Sequence, residues 1–96
     1  MKQYLLLIHD NSTSDSTADE WQRFFVAAKD SGFFRGGSEI GEHTLLGKNQ
    51  SVSSSRHIVG YMRFDADEKS KLLSLLNSHP TVLHGGTIEL CELPKS

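Results

Sequence analysis

The residues from Thr17 to Gly32 constrain this chain more than any others. Thr17 and Glu20 stand three apart. At that spacing a threonine hydroxyl accepts from a backbone N–H at the head of a helix, and the carboxylate reaches back to the threonine's own N–H. Trp21, Phe24, Phe25 and Ala28 then fall at i, i+3, i+4 and i+7, one face of a helix. Gly32 is the residue type that closes a helix in the left-handed conformation. A helix therefore lies here, and the segments on both sides read as strands.

Before it, Tyr4–His9 is a short apolar run ended by polar residues, the pattern of a buried strand. Asp10–Ser16, rich in Asp, Asn, Ser and Thr, reads as a loop. After it, Phe33–Ile40 reads as an inner strand, with Arg35, Gly37 and Glu39 on one side and Phe34, Gly36, Ser38 and Ile40 on the other. Gly47–Ser55 is expected to be an exposed hairpin loop. His57–Phe64 is a second clear strand, with Ile58, Gly60, Met62 and Phe64 facing one way and His57, Val59, Tyr61 and Arg63 the other. Asp65 and Glu68 repeat the capping-box spacing, followed by a helix whose buried face is marked by Leu72, Leu73 and Leu76, with Leu75 beside it. His79-Pro80 stops that helix, because proline disfavours helical geometry in the residue before it. Thr87–Leu93 is the last strand, with Ile88 and Leu90 opposite Glu89 and Cys91.

The order β-α-β-β-α-β is the split unit of a ferredoxin-like fold. It implies an α+β domain over residues 1–96, a four-stranded antiparallel sheet with two helices on one face. The other face keeps enough apolar residues that a second subunit's sheet is the economical cover. The chain has 96 residues, 36% hydrophobic, with 10 basic against 12 acidic side chains. No basic run stands out, which argues against nucleic acid or an anionic membrane as the partner. A single cysteine, Cys91, allows no internal disulfide and fits a reducing compartment, so a soluble cytoplasmic protein is expected. The apolar run at the start is too short to span a membrane.

Several of these segments together resemble the YCII-related family of the dimeric α/β-barrel group. They are Tyr4-Leu5-Leu6-Leu7-Ile8, the helix ending at Asp30-Ser31-Gly32, Gly36-Gly37-Ser38, and Gly60-Tyr61-Met62-Arg63-Phe64-Asp65. The leucine-rich helix, His79-Pro80, Gly85-Gly86 and a last strand with Glu89 and Pro94 complete the likeness. The resemblance implies a homodimer whose sheets face each other and a cleft between sheet and helices in each subunit. Some members pair a histidine of the first helix with an aspartate near the following glycine. Here Trp21 stands at that histidine's position and Asp30 is left without its partner. The Asp-Pro often found in the family after the second helix reads His79-Pro80 here, and the Asp-Gly-Pro-Phe motif of another branch is absent from the corresponding region, Asn49–Ser55.

The candidates for chemistry are histidines, five in all. An unperturbed imidazole titrates near neutrality and can move protons. His9 at the end of the first strand, with His79 and His84 flanking the approach to the last one, could converge on one end of a cleft. The plainer roles are a strand-end polar residue for His9, a helix C-cap for His79 and a turn residue for His84. His43 and His57 belong beside the expected hairpin. Gly36-Gly37 and Gly85-Gly86 lack the spacing of phosphate loops. They serve close backbone packing or a bulge, or else a pocket floor with Ser38 as a polar anchor. Arg35 reaches either an anionic ligand or, across the dimer, a carboxylate such as Glu39 or Glu89. No motif calls for a cofactor or a metal. Two functions stay open: a cofactor-free enzyme using His9, His79 and His84 for proton transfer on a small organic substrate, with Ser38, Arg35, Gly36 and Gly37 binding it, or a non-catalytic homodimeric module that binds a small ligand or a protein.

Overall fold

A computed structural model describes residues 1–48 and 53–94. The strands are β1 (Lys2–His9), β2 (Phe34–Glu39), β3 (Ile58–Ala66) and β4 (Ile88–Leu93). The helices are α1 (Ala18–Asp30), α2 (Lys69–Leu76) and the single turn α3 (Pro80–Leu83). The strands form one four-stranded antiparallel sheet in the order β2-β3-β1-β4. The fold is α+β and compatible with a ferredoxin-like arrangement. Residues 49–52, the middle of the hairpin loop expected over Gly47–Ser55 and part of the Asn49–Ser55 region, lie outside the described residues.

The helix α1 starts and stops as its sequence demands. Glu20 N–H donates to Thr17 Oγ1 at 3.2 Å and Thr17 N–H donates to Glu20 Oε1 at 2.9 Å, the reciprocal pair of a capping box. Gly32 follows at φ +78°, where a side chain would be strained. The helix buries Phe24 and Ala28, and these meet Tyr4 and Leu6 of β1, Met62, Phe64 and Ala66 of β3, and Leu72 and Leu76 of α2 in a single core. Burial along β3 alternates residue by residue from Ile58 to Ala66, the period of a strand with one face in the core.

The structure departs from the sequence reading at five places. First, β2 is an edge strand rather than an inner one. Second, its two sides switch partway. Phe34 pairs with Phe64, but the next pair on β3 is Gly37 with Met62, so Gly36 is an extra residue, at φ +108°. This β-bulge puts Gly37 on the same face as Phe34. Third, β3 runs on to Ala66 to pair with Lys2, so Asp65 stays in the sheet and α2 begins at Lys69, with Glu68 at the cap position making no side-chain cap bond. Fourth, Leu73 is exposed while Leu75 is half-buried. Fifth, Pro80 does more than stop α2: it opens α3 at a position where a missing N–H costs nothing.

Among the described residues no helix is long and apolar enough to cross a membrane.

Candidate functional site

The cleft between α1 and the β2–β3 half of the sheet holds a cavity of about 400 Å³. That is within the range of small-molecule sites. Trp21 and Phe25 of α1 form one wall; Ile8, Phe34 and Met62 come from the sheet. These apolar residues follow from the patterns that built the fold, because each lies on the core face of its element. Gly37 and Gly60 also line the space and bring bare backbone to it. A Cβ on Gly37 would overlap the Tyr61 carbonyl oxygen, and one on Gly60 would come within 3.2 Å of Ile8 Cδ1. Ser38, Glu39 and Tyr61 are also lining residues; of these Glu39 shares the core face with Gly37, while Ser38 and Tyr61 alternate to the other face of the sheet. Trp21 is held in place by its indole N–H, which donates to Ser16 Oγ at 2.9 Å.

Of the ligand-binding candidates, Ser38 and Gly37 border this cavity and Gly36 and Arg35 do not. Ser38 donates its hydroxyl to the Glu39 carbonyl at 2.8 Å. Gly36 serves the bulge. Arg35 lies on the face away from the core. There its Nε donates to Asp65 Oδ2 at 3.2 Å and its Nη1 to the carbonyls of Gly32 and Phe34. Within the subunit its carboxylate partner is Asp65, a residue of the neighbouring strand.

None of the histidines lines the cavity, and His9, His79 and His84 occupy three different surroundings. His9 leaves β1 on the face away from the core, with Nε2 2.9 Å from Glu89 Oε1 and its ring 5.3 Å from that of His57. His43 folds the chain after β2 back onto β3, through Ser55 Oγ and the Ile58 carbonyl.

His79 is wholly buried. Its ring centre stands 5.0 Å from that of Trp21 and 4.8 Å from that of Phe24, near perpendicular to the indole. It caps the start of α3, where Nδ1 accepts from the Thr81 N–H at 3.1 Å, rather than the end of α2. Nδ1 therefore carries the lone pair, and the proton of the neutral ring sits on Nε2, which has no hydrogen-bond partner. Burial pushes the His79 pKa down to about 4. The sequence disguised this residue as a surface cap, because the aromatics that bury it come from a helix some sixty residues earlier in the chain.

His84 ends α3 and ties three segments together. Its Nε2 lies 2.8 Å from Glu20 Oε2 and 2.9 Å from Oε1, and its Nδ1 lies 2.7 Å from Ser14 Oγ. The hydrogen bond from His84, aided by Thr17, holds the Glu20 carboxyl below its ordinary pKa. The His84 carbonyl accepts from both the Thr13 N–H and the Thr13 hydroxyl, at 2.9 and 3.1 Å. The loop can come this close because Gly85 and Gly86 have no side chains. A Cβ on either would stand 2.5 Å from Thr13 Oγ1 or Ser12 Oγ. The second glycine pair thus serves close packing of the loop before α1. Ser14 and Glu20 were the members of this group hidden from the sequence reading, one inside a polar loop and the other already accounted for as a capping residue.

Compared with protein families, with curated proteins and with solved structures, the chain shows no match.

Proposed function

We propose that this protein is a homodimeric module of the YCII-related type whose cleft between α1 and the sheet holds a small, largely apolar molecule and does no chemistry on it. The observation that carries this reading is the cavity itself. It is lined by Trp21, Phe25, Phe34 and Met62, with Glu39 the charged residue among its lining. No histidine borders it, so it is furnished for burial of apolar surface and has no imidazole to move a proton. Trp21 stands where the resemblance places a histidine, and it fills that part of the cleft with indole.

The dimer part of the reading has its own support. On the sheet face away from the core, Leu5, Leu7, Val59, Tyr61, Cys91 and Leu93 are only half-buried within the subunit. A contiguous apolar surface on a small domain is stabilised by a second copy.

The test is a fragment screen by two-dimensional amide NMR, using small aromatic and short aliphatic compounds. Binding in the cavity shifts the Gly37 and Gly60 amides and the Trp21 indole N–H together. If no fragment moves those three signals, or if all hits map to other surfaces, the ligand-binding reading falls.

A further inference from the structure

We infer that Ser14, His84 and Glu20 form a nucleophile–base–carboxylate set able to take an acyl group from a small ester. The inference does not depend on what the apolar cavity binds.

The proton positions follow from the partners. Glu20, held as a carboxylate, can only accept, so His84 Nε2 carries the proton it shares with Oε2 at 2.8 Å. The neutral ring then presents a bare Nδ1, and the Ser14 hydroxyl at 2.7 Å donates to it. A hydroxyl donating to an imidazole whose other nitrogen is fixed by a carboxylate is the arrangement that activates serine. Here the two ring nitrogens have exchanged places relative to the usual order, and the chemistry does not depend on which one faces the serine. The set is also fixed from outside. Glu20 Oε1 takes the Thr17 N–H, and the Thr13 clamp on the His84 carbonyl sets the position of the loop one residue before the nucleophile.

Exposure divides the roles. Ser14 is exposed, whereas the His84 and Glu20 side chains are each only 20% exposed, so the reacting oxygen is open and its activators are sheltered. Among the described residues the next peptide N–H, that of Asp15, forms no hydrogen bond. A shallow groove of about 360 Å³, lined by Glu20, Arg23, Phe24, Ala27, Ser78 and Leu83, reaches the carboxylate of the set; Ser14 and His84 are not among its lining residues.

The reaction balances with water alone. Ser14 Oγ forms a bond to the acyl carbon and passes its proton to His84 Nδ1. The bond to the alcohol oxygen breaks, and the departing alkoxide takes that proton. Water then attacks the acyl-serine, gives its proton to Nδ1, and Ser14 leaves as the hydroxyl while the acid is released.

The experiment uses the full chain, a reporter-bearing alkyl fluorophosphonate, and p-nitrophenyl acetate. The phosphonate forms a stable bond to an activated serine with loss of fluoride and the hydroxyl proton. The expected result is a single adduct, mapped by peptide mass spectrometry to Ser14, and p-nitrophenol release that stops in Ser14→Ala. Both signals fall about a hundredfold in His84→Gln, the scale of a lost general base. Should that variant fold poorly, Glu20→Gln serves in its place. It keeps the cap at the head of α1 and is expected to label about tenfold more slowly. Labelling is lost in urea. An adduct on another residue, equal labelling of native and unfolded chains, or no adduct on wild-type protein overturns the inference and leaves the cavity reading untouched.

Discussion

Acid should weaken this fold well before its carboxylates protonate, and His79 is the cause. The group is buried neutral, with a folded-state pKa of about 4 against 6.5 for a free imidazole. In the unfolded chain it gains a proton as pH falls below 6.5, whereas the folded chain resists until about pH 4. The unfolded state therefore binds more protons across that window, and stability drops as pH falls through it. Linkage with these two values gives a loss of about 2 kcal/mol by pH 5 and about 3 kcal/mol by pH 4, with almost none at pH 7. Against the roughly 5–14 kcal/mol expected of a domain this size, that is a large share. Glu20 adds to the loss only at lower pH, because its pKa lies below the ordinary carboxylate value. Urea unfolding at several pH values between 7 and 4 reads the effect as a falling midpoint at constant m-value. The comparison protein is His79→Asn, whose side-chain oxygen can still accept from the Thr81 N–H. It is less stable at pH 7 by about 1–3 kcal/mol from lost packing, but its midpoint stays level down to pH 5. An equal slope in both proteins would refute the reasoning, as would an NMR titration of His79 centred near 6.5.

Two further outcomes test the packing arguments. Gly37→Ala places a methyl group against the Tyr61 carbonyl oxygen and Met62 Cα, backbone atoms that cannot swing aside, so it destabilises by about 2 kcal/mol or more; a urea midpoint within error of wild type would mean β2 is not held that close to β3. Leu7→Lys puts a charge in the middle of the sheet face proposed as the dimer contact; light scattering at micromolar concentration is expected to show a dimer for wild type and a monomer for the variant, and a wild-type monomer removes the proposed contact.

Much of the fold could be read from local pattern. The helix α1 was legible from Thr17, Glu20 and Gly32 because caps and periodicity are encoded within a few residues of the groups they satisfy. The alternation along β3 was equally plain. What failed had a shared origin in contacts made elsewhere. The bulge at Gly36 depends on how β2 docks on β3, and it reverses a parity that simple counting carries through. Asp65 looks like a helix cap until Ala66 pairs with Lys2 and keeps the strand going. Pro80 read as an ending because its role in starting α3 rests on His79 being drawn inward by Trp21 and Phe24. The site followed the same rule. The aromatic face of α1 was visible, and so was Gly37 as a point of close approach. Ser14 and Glu20 share no spacing with His84 that a sequence pattern could reveal, since 70 and 64 residues separate them from it.

The placement of β1 between β3 and β4 has a consequence for how the chain is made. Of the four strands the first to be made is an interior strand, and one of its two neighbours is the last of the four to follow. The head of α1 likewise meets His84 only after another 64 residues have been made. Such distant pairings close late and slowly compared with local ones. Until β4 arrives, Leu5, Leu6 and Leu7 offer an open backbone edge, and a chain cut short before Ile88 would keep that edge exposed, ready to pair with a neighbouring copy.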